Sequence, residues 1–381
     1  MKPIFAAVCI ALSLAGCSTV QQVLPAKDTN PPKALKEFTP TANVRTLWQA
    51  STGSTSGKDY VRINPHVDET AVFTASGRSA SAWNKSGGRI WLSPVDEDIT
   101  GGVSGDADSI YFGTGSGSAV ALDRQSGKLR WSVRLSSEVL AVSPSSQGVV
   151  AFRTSDGALH GISAQTGEIV WQQMRKSPVL SLRGAGVPVL AGNMVIAGFD
   201  NGVVTAFDMQ SGKPLWEATL SEPQGRSDLD KITDVDGKLK VLGEALFVAS
   251  YNGKLAGINM RKGSAAWSAP YSSFTGVDAD PNGLYTTSAE GDLWKLSPQS
   301  GQPMWKMDDL QRRLPTAPTL AGGYVVVGDK DGFIHWVNSD NGHFVARVRG
   351  DTAGYTSPPV ADGNVVYTLG RSGLLSAFSA Q

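Results

Sequence analysis

Along most of this chain, short β-branched and aromatic runs alternate with turn residues at a spacing of roughly forty residues. The runs include Val72-Phe73, Ile110-Tyr111-Phe112, Val149 to Phe152, Val195-Ile196, Leu246-Phe247-Val248, Leu284-Tyr285, Val325 to Val327 and Val365-Val366-Tyr367. Such runs suit half-buried strands. The Asp156-Gly157, Asn201-Gly202, Asn252-Gly253 and Asp331-Gly332 pairs that follow are residue types that tolerate positive φ in tight hairpins. A second strand then leads to a polar residue, a Gly and a Trp: Asp123, Gly127 and Trp131; Ser163, Gly167 and Trp171; Asp208, Gly212 and Trp216; Asn259, Gly263 and Trp267; Ser297, Gly301 and Trp305. The copy from Asn84 to Trp91 is one residue shorter, and the copy from Asn338 through Gly342 ends at Ala346 in place of Trp. No long apolar stripe of helical period interrupts the series, so the body is predicted to be all-β.

A repeat of this length with several short strands per copy predicts a β-propeller. The last copy, Asp362 to Ser379, stops before its Gly and Trp, whereas Arg45 to Trp48 near the other end has no opening half. Joining the two completes an eighth blade and removes the open sheet edges. The expectation is therefore an eight-bladed β-propeller of four-stranded blades over residues 44–381, closed by pairing of N-terminal and C-terminal segments. The repeated Trp residues are expected to pack between blades, with Trp336 or Phe344 filling the space left at Ala346.

The first residues read as a targeting signal. Lys2 precedes an apolar stretch from Ile4 to Leu14, too short to cross a bilayer comfortably, and Leu14-Ala15-Gly16-Cys17 has the form of a bacterial lipobox. Residues 1–16 are thus a lipoprotein signal peptide, Cys17 the lipidated residue, and 17–43, polar and Pro-containing, a flexible tether. Ser18, in place of an Asp, sorts the chain to the outer membrane, lipid-anchored and facing the periplasm. Cys9 and Cys17 are the only cysteines, so no disulfide is expected. Thirty-four basic and thirty-four acidic residues give no net charge, which argues against nucleic acid as a partner.

Catalytic patterns are scarce. The four His stand singly in separate repeats, with His160 and His335 at comparable strand positions. Gly113 to Gly117 is glycine-rich but joins two strands. Asp234-Val235-Asp236-Gly237 resembles the middle of a calcium loop, yet Ile232 stands where that loop needs a carboxylate. No metal or cofactor is expected, and Asp228 to Asp236 reads either as a solvated acidic loop or as a partner-binding one.

Most successive repeat Trp positions lie 38 to 43 residues apart, but Trp171 to Trp216 spans 45 and Trp216 to Trp267 spans 51. The extra residues follow the Trp in both, so they must emerge side by side on one face, and loops of that kind often carry function. The first insertion holds Leu180, Leu182 and Arg183; the second holds Asp234 and Asp236. Apolar anchors beside charges suit a protein interface. Equally, the leucines could begin the next inner strand while Arg183 pairs with an Asp for structure.

The repeat resembles that of quinoprotein propellers. The lipobox, the eight copies, Leu180-Ser181-Leu182-Arg183-Gly184 and the segment Ser227 to Asp236 together resemble the BamB family, lipoproteins of the outer-membrane β-barrel assembly (Bam) complex. That resemblance covers essentially the whole chain. It implies a non-catalytic scaffold that binds the periplasmic POTRA domains of BamA and assists insertion of outer membrane proteins, with unfolded outer membrane proteins as further candidate partners. It also assigns Leu180, Leu182, Arg183, Asp234 and Asp236 as partner contacts. The alternatives are a quinone-dependent dehydrogenase-like propeller, which resembles a larger ring often carrying an adjacent Cys pair that this chain lacks, and an unrelated ligand-binding propeller.

Overall fold

In the computed structural model, residues 30–53, 61–175, 178, 186–222 and 232–380 are described. They form thirty-two strands and no helix, arranged as eight separate four-stranded antiparallel sheets. Blade 1 comprises His66–Val67, Ala71–Ser76, Ser79–Asn84 and Arg89–Pro94. Blade 2 comprises Ile99–Gly105, Ser109–Thr114, Ser118–Asp123 and Leu129–Arg134; blade 3 Val139–Ser146, Val149–Thr154, Ala158–Ser163 and Ile169–Met174. Blade 4 runs Val189–Ala191, Met194–Gly198, Val203–Asp208 and Pro214–Thr219; blade 5 Lys240–Leu242, Ala245–Ala249, Leu255–Asn259 and Ser264–Ala269. Blade 6 is Val277–Asp280, Gly283–Thr287, Leu293–Leu296 and Pro303–Met307, and blade 7 is Thr319–Ala321, Tyr324–Gly328, Phe333–Asn338 and Phe344–Arg349. The first strand of each blade touches that of the next, and blade 8 returns to blade 1, closing the ring around an axial cavity of about 560 Å³.

Blade 8 is split as the repeat predicts. Val360–Asp362, Val365–Leu369 and Leu374–Ala380 come from the C-terminal end, and Val44–Ser51 adds the outer strand. The pairing runs from Val44 opposite Ala380 to Ser51 opposite Leu374, with one bulge between Thr46 and Trp48.

The repeated tryptophans latch every blade but the seventh to its successor. Indole Nε1 of Trp48, Trp91, Trp131, Trp171, Trp267 and Trp305 donates to the carbonyls of Lys85, Arg124, Ala164, Met209, Pro298 and Ser339, at 2.8 to 3.0 Å. Each acceptor directly follows the polar residue that opens the next blade's last turn. The glycine closing that turn lies under the incoming ring: a Cβ on Gly167 would stand 2.8 Å from Trp131, and its φ of +77° already disfavours side chains. Trp216 stacks against Gly263 in the same way, but its Nε1 has no hydrogen-bond partner. The pattern explains Ala346. Blade 8 carries no such turn, because its outer strand comes from the other end of the chain, so a Trp at 346 would have nothing to dock on. Ala346 instead pairs with Trp336, which is fully buried edge-on to Phe378 of blade 8, and Ala42 joins that cluster.

The tether expected through residue 43 is shorter than the sequence suggests. From Lys33 to Ala42 the chain is pinned along blades 6 and 7. Lys33 Nζ pairs with Asp308 at 2.8 Å and Lys36 Nζ with Asp309 at 2.7 Å. Phe38 stacks on Phe344, and the carbonyls of Lys33 and Lys36 accept from Arg313 and Arg347. The N–H groups of Thr41 and Ala42 both donate to the carbonyl of Val345. A polar, Pro-containing stretch looks like a linker on composition, but here its few apolar side chains and its carbonyls find distant partners.

Candidate functional site

The two long connectors leave blades 3 and 4 on the face that also carries the hairpins between second and third strands. Their described ends show this. Arg175 N–H donates to the carbonyl of Gly157, Leu220 N–H to that of Gly202, and Tyr251 N–H to that of Asp234. Leu180, Leu182 and Arg183 lie outside the described residues, as do Asp228 and Asp230. The far ends of the two connectors come together: a Cβ on Gly186 would stand 3.3 Å from the carbonyl of Asp236.

Asp234 and Asp236 are not a solvated loop. They are 1% and 3% exposed, below the face rather than on it. The basic group found with Asp236 is Arg153, at the end of the second strand of blade 3. Its guanidinium Nη1 donates to Asp236 Oδ1 at 2.7 Å, Nη2 pairs with Asp200 in the blade 4 hairpin, and the cation lies 5.7 Å from the ring centroid of Phe199. Arg153 itself is 1% exposed. Burial opposes its charge, but the Asp236 and Asp200 carboxylates outweigh that and push the guanidinium pKa up. One buried cation thus ties together a strand of blade 3, a hairpin of blade 4 and the connector entering blade 5.

The same connector reaches the axial cavity. Asp236 and Lys238 line it with Arg62 from the segment before blade 1. Arg62 stands 5.9 Å over the Phe274 ring, and burial pulls its pKa down against the opposing pull of Asp236. Asp278 receives Lys238 at 2.8 Å and Lys240 at 2.7 Å. Its carboxyl, which burial alone would raise, is held low by the two ammonium groups. The cationic and anionic groups around this end of the axis therefore offset one another.

His160 and His335 are both buried, as matching strand positions imply, but in different company. His160 Nε2 lies 3.2 Å from Ser136 Oγ, whereas His335 Nε2 is 3.0 Å from Asp329 and its Nδ1 accepts from Arg347 Nε at 3.2 Å. Among the described residues no cluster of His, Cys, Asp and Glu has the makings of a metal site, and Asp236 is bonded to Arg153.

Eight blades closed by an N-terminal strand, with the two longest connectors abutting on one face, define a β-propeller. A family model described as "Outer membrane protein assembly factor BamB" matches residues 76–307. The protein of that name from Pseudomonas aeruginosa is 44% identical over 372 residues, 97% of each chain. That from Escherichia coli K12 is 33% identical over 367 residues, 93% of each. The crystal structure of BamB from Moraxella catarrhalis superposes with a TM-score of 0.81 at 27% identity, covering 88% of this chain and all of that one. The chain belongs to the outer membrane protein assembly factor BamB family.

Proposed function

We propose that the chain is a non-catalytic scaffold subunit of the outer membrane β-barrel assembly machinery. In this reading it docks on the periplasmic POTRA domains of BamA, with Leu180, Leu182 and Arg183 as contacts and Asp234 and Asp236 completing the site from its buried side. A lipid on Cys17 holds it to the inner surface of the outer membrane. The observation that carries the proposal is relatedness to named assembly factors along nearly the whole chain. The geometry supports the choice of face, since the two insertions end against one another at Gly186 and Asp236. A closed ring of interlocked blades also suits a part that positions other proteins and performs no chemistry of its own.

The test is co-purification from native membranes. Wild-type protein should bring BamA with it from the outer membrane fraction and carry diacylglycerol on Cys17 by mass spectrometry. Cys17→Ser should leave that fraction. Absence of BamA from a well-folded wild-type preparation would overturn the scaffold assignment, and an unmodified Cys17 at the membrane would overturn the anchor.

A further inference from the structure

We infer that Arg153 is a positioning residue for the partner face, and that Asp236 acts through it rather than by touching a partner. The inference rests on the proposed docking face and deepens it.

The argument begins with burial. A side chain 1% to 3% exposed, as Asp234 and Asp236 are, cannot offer its carboxylate to another protein without the loop opening. Among the described residues, the Asp236 carboxylate meets the Arg153 guanidinium. Asp236 bonds it directly and Asp234 adds to the field that keeps it charged. Next comes connectivity. Arg153 sits on a strand of blade 3, the blade from which the first connector departs. Asp200 belongs to the blade 4 hairpin, and Val235 N–H donates to the carbonyl of Phe199 in that hairpin at 3.2 Å. Asp236 ends the second connector, and Gly186, near the end of the first, abuts its backbone. Both connector ends are therefore referenced to one planar, five-donor group. A guanidinium can hold two carboxylates in fixed directions at once, which an ammonium cannot.

Arg62 also faces Asp236, from the axial side. It lies over Phe274 and makes no salt bridge to Asp236, so it adds charge without fixing direction.

Two readouts on the mature protein test this. The first is hydrogen exchange in the free protein. Arg153→Met should speed exchange of amides in 186–189 and 232–239 well beyond the uniform acceleration that global destabilisation gives blades 6 to 8, and Arg153→Lys should restore part of the protection. Unchanged exchange in those segments, or acceleration no greater there than in blades 6 to 8, would overturn the inference whatever the partner proves to be. The second is binding to the POTRA domains. Arg153→Met should weaken it by about tenfold or more, and combining it with Leu182→Ala should cost less than the sum of the single effects, as coupled sites do. Additive losses, or Arg153→Met binding like wild type while Leu182→Ala does not, would also overturn it. If wild type fails to bind at all, the docking reading falls, and the exchange experiment still decides the role of Arg153.

Discussion

Arg153 Nη1 stands 2.7 Å from Asp236 Oδ1, two side chains 83 residues apart in sequence and both nearly sealed from water. The pair belongs to three blades at once, since the same guanidinium also holds Asp200. Removing only the cation leaves carboxylates buried without it, a change that typically costs about 3–5 kcal/mol. Arg153→Met should therefore lower unfolding free energy by that order in urea titration. Arg153→Met combined with Asp236→Leu should recover part of it, because the more deeply buried of the two carboxylates left without the cation is gone. Equal stabilities for the single and double variants would show that the pair is not what the fold relies on there.

The Trp latches make a graded prediction. Trp131 Nε1 donates to Ala164 at 2.9 Å, whereas Trp216 Nε1 has no partner. Phe keeps most of the buried ring area and loses the donor. Trp131→Phe should then cost about 1 kcal/mol more than Trp216→Phe, the net worth of one hydrogen bond plus its stranded acceptor. Thermal or denaturant melts of the two variants check it, and equal costs would contradict the latch.

Closure of the ring depends on Val44–Ser51, which supplies the outer strand of blade 8. Deleting Arg45 to Ala50 removes that ladder and the Trp48 latch onto blade 1. In a domain of this size each kcal/mol moves the melting midpoint by roughly 2–4 °C, so a fall of about ten degrees or more is expected. A truncated chain that melts like wild type would mean that the other blades hold the ring shut unaided.

His335 gives a pH dependence with a definite sign. Arg347 Nε donates to Nδ1, so the ring proton sits on Nε2 and points to Asp329. Burial, opposed by Asp329 and reinforced by the nearby Arg347 and Arg313 cations, holds the imidazole pKa below its ordinary value. A lowered folded pKa means that the unfolded chain takes the proton first. Stability from this residue is therefore intact above about pH 6.5 and is lost as pH falls below it. The melting midpoint should drop between pH 7.5 and 5.5, less steeply in His335→Gln. His160 and His66, also held down by burial, keep the remaining slope.

The blade number, the strand order and the split eighth blade were all legible because turn chemistry and the Gly-to-Trp spacing are local signals. Even the departure at Ala346 was visible, and the missing turn in blade 8 accounts for it. The Arg153 pin was not legible in the same way, because its partners lie far along the chain. One signal was present all the same. Arg153 occupies the strand position held by Ala75 in blade 1 and Gly113 in blade 2, so a charge stood where the repeat calls for a small residue. The docked segment from Lys33 to Ala42 was missed for a related reason. Composition marks it as a linker, and only the fold brings Phe344, Arg313 and Arg347 to it. As for Asp234 and Asp236, the sequence singled out their segment but could not tell a presented carboxylate from a buried one.

The central claim is that the face between blades 3 and 5 binds the BamA POTRA domains, and titration calorimetry of the mature soluble chain, residues 18–381, against those domains tests it most directly. Leu182→Ala should weaken binding at least tenfold and Arg183→Glu should abolish it, while both leave the melting midpoint within a degree or two of wild type. Binding that survives in both folded variants would place the interface elsewhere on the propeller and contradict the account.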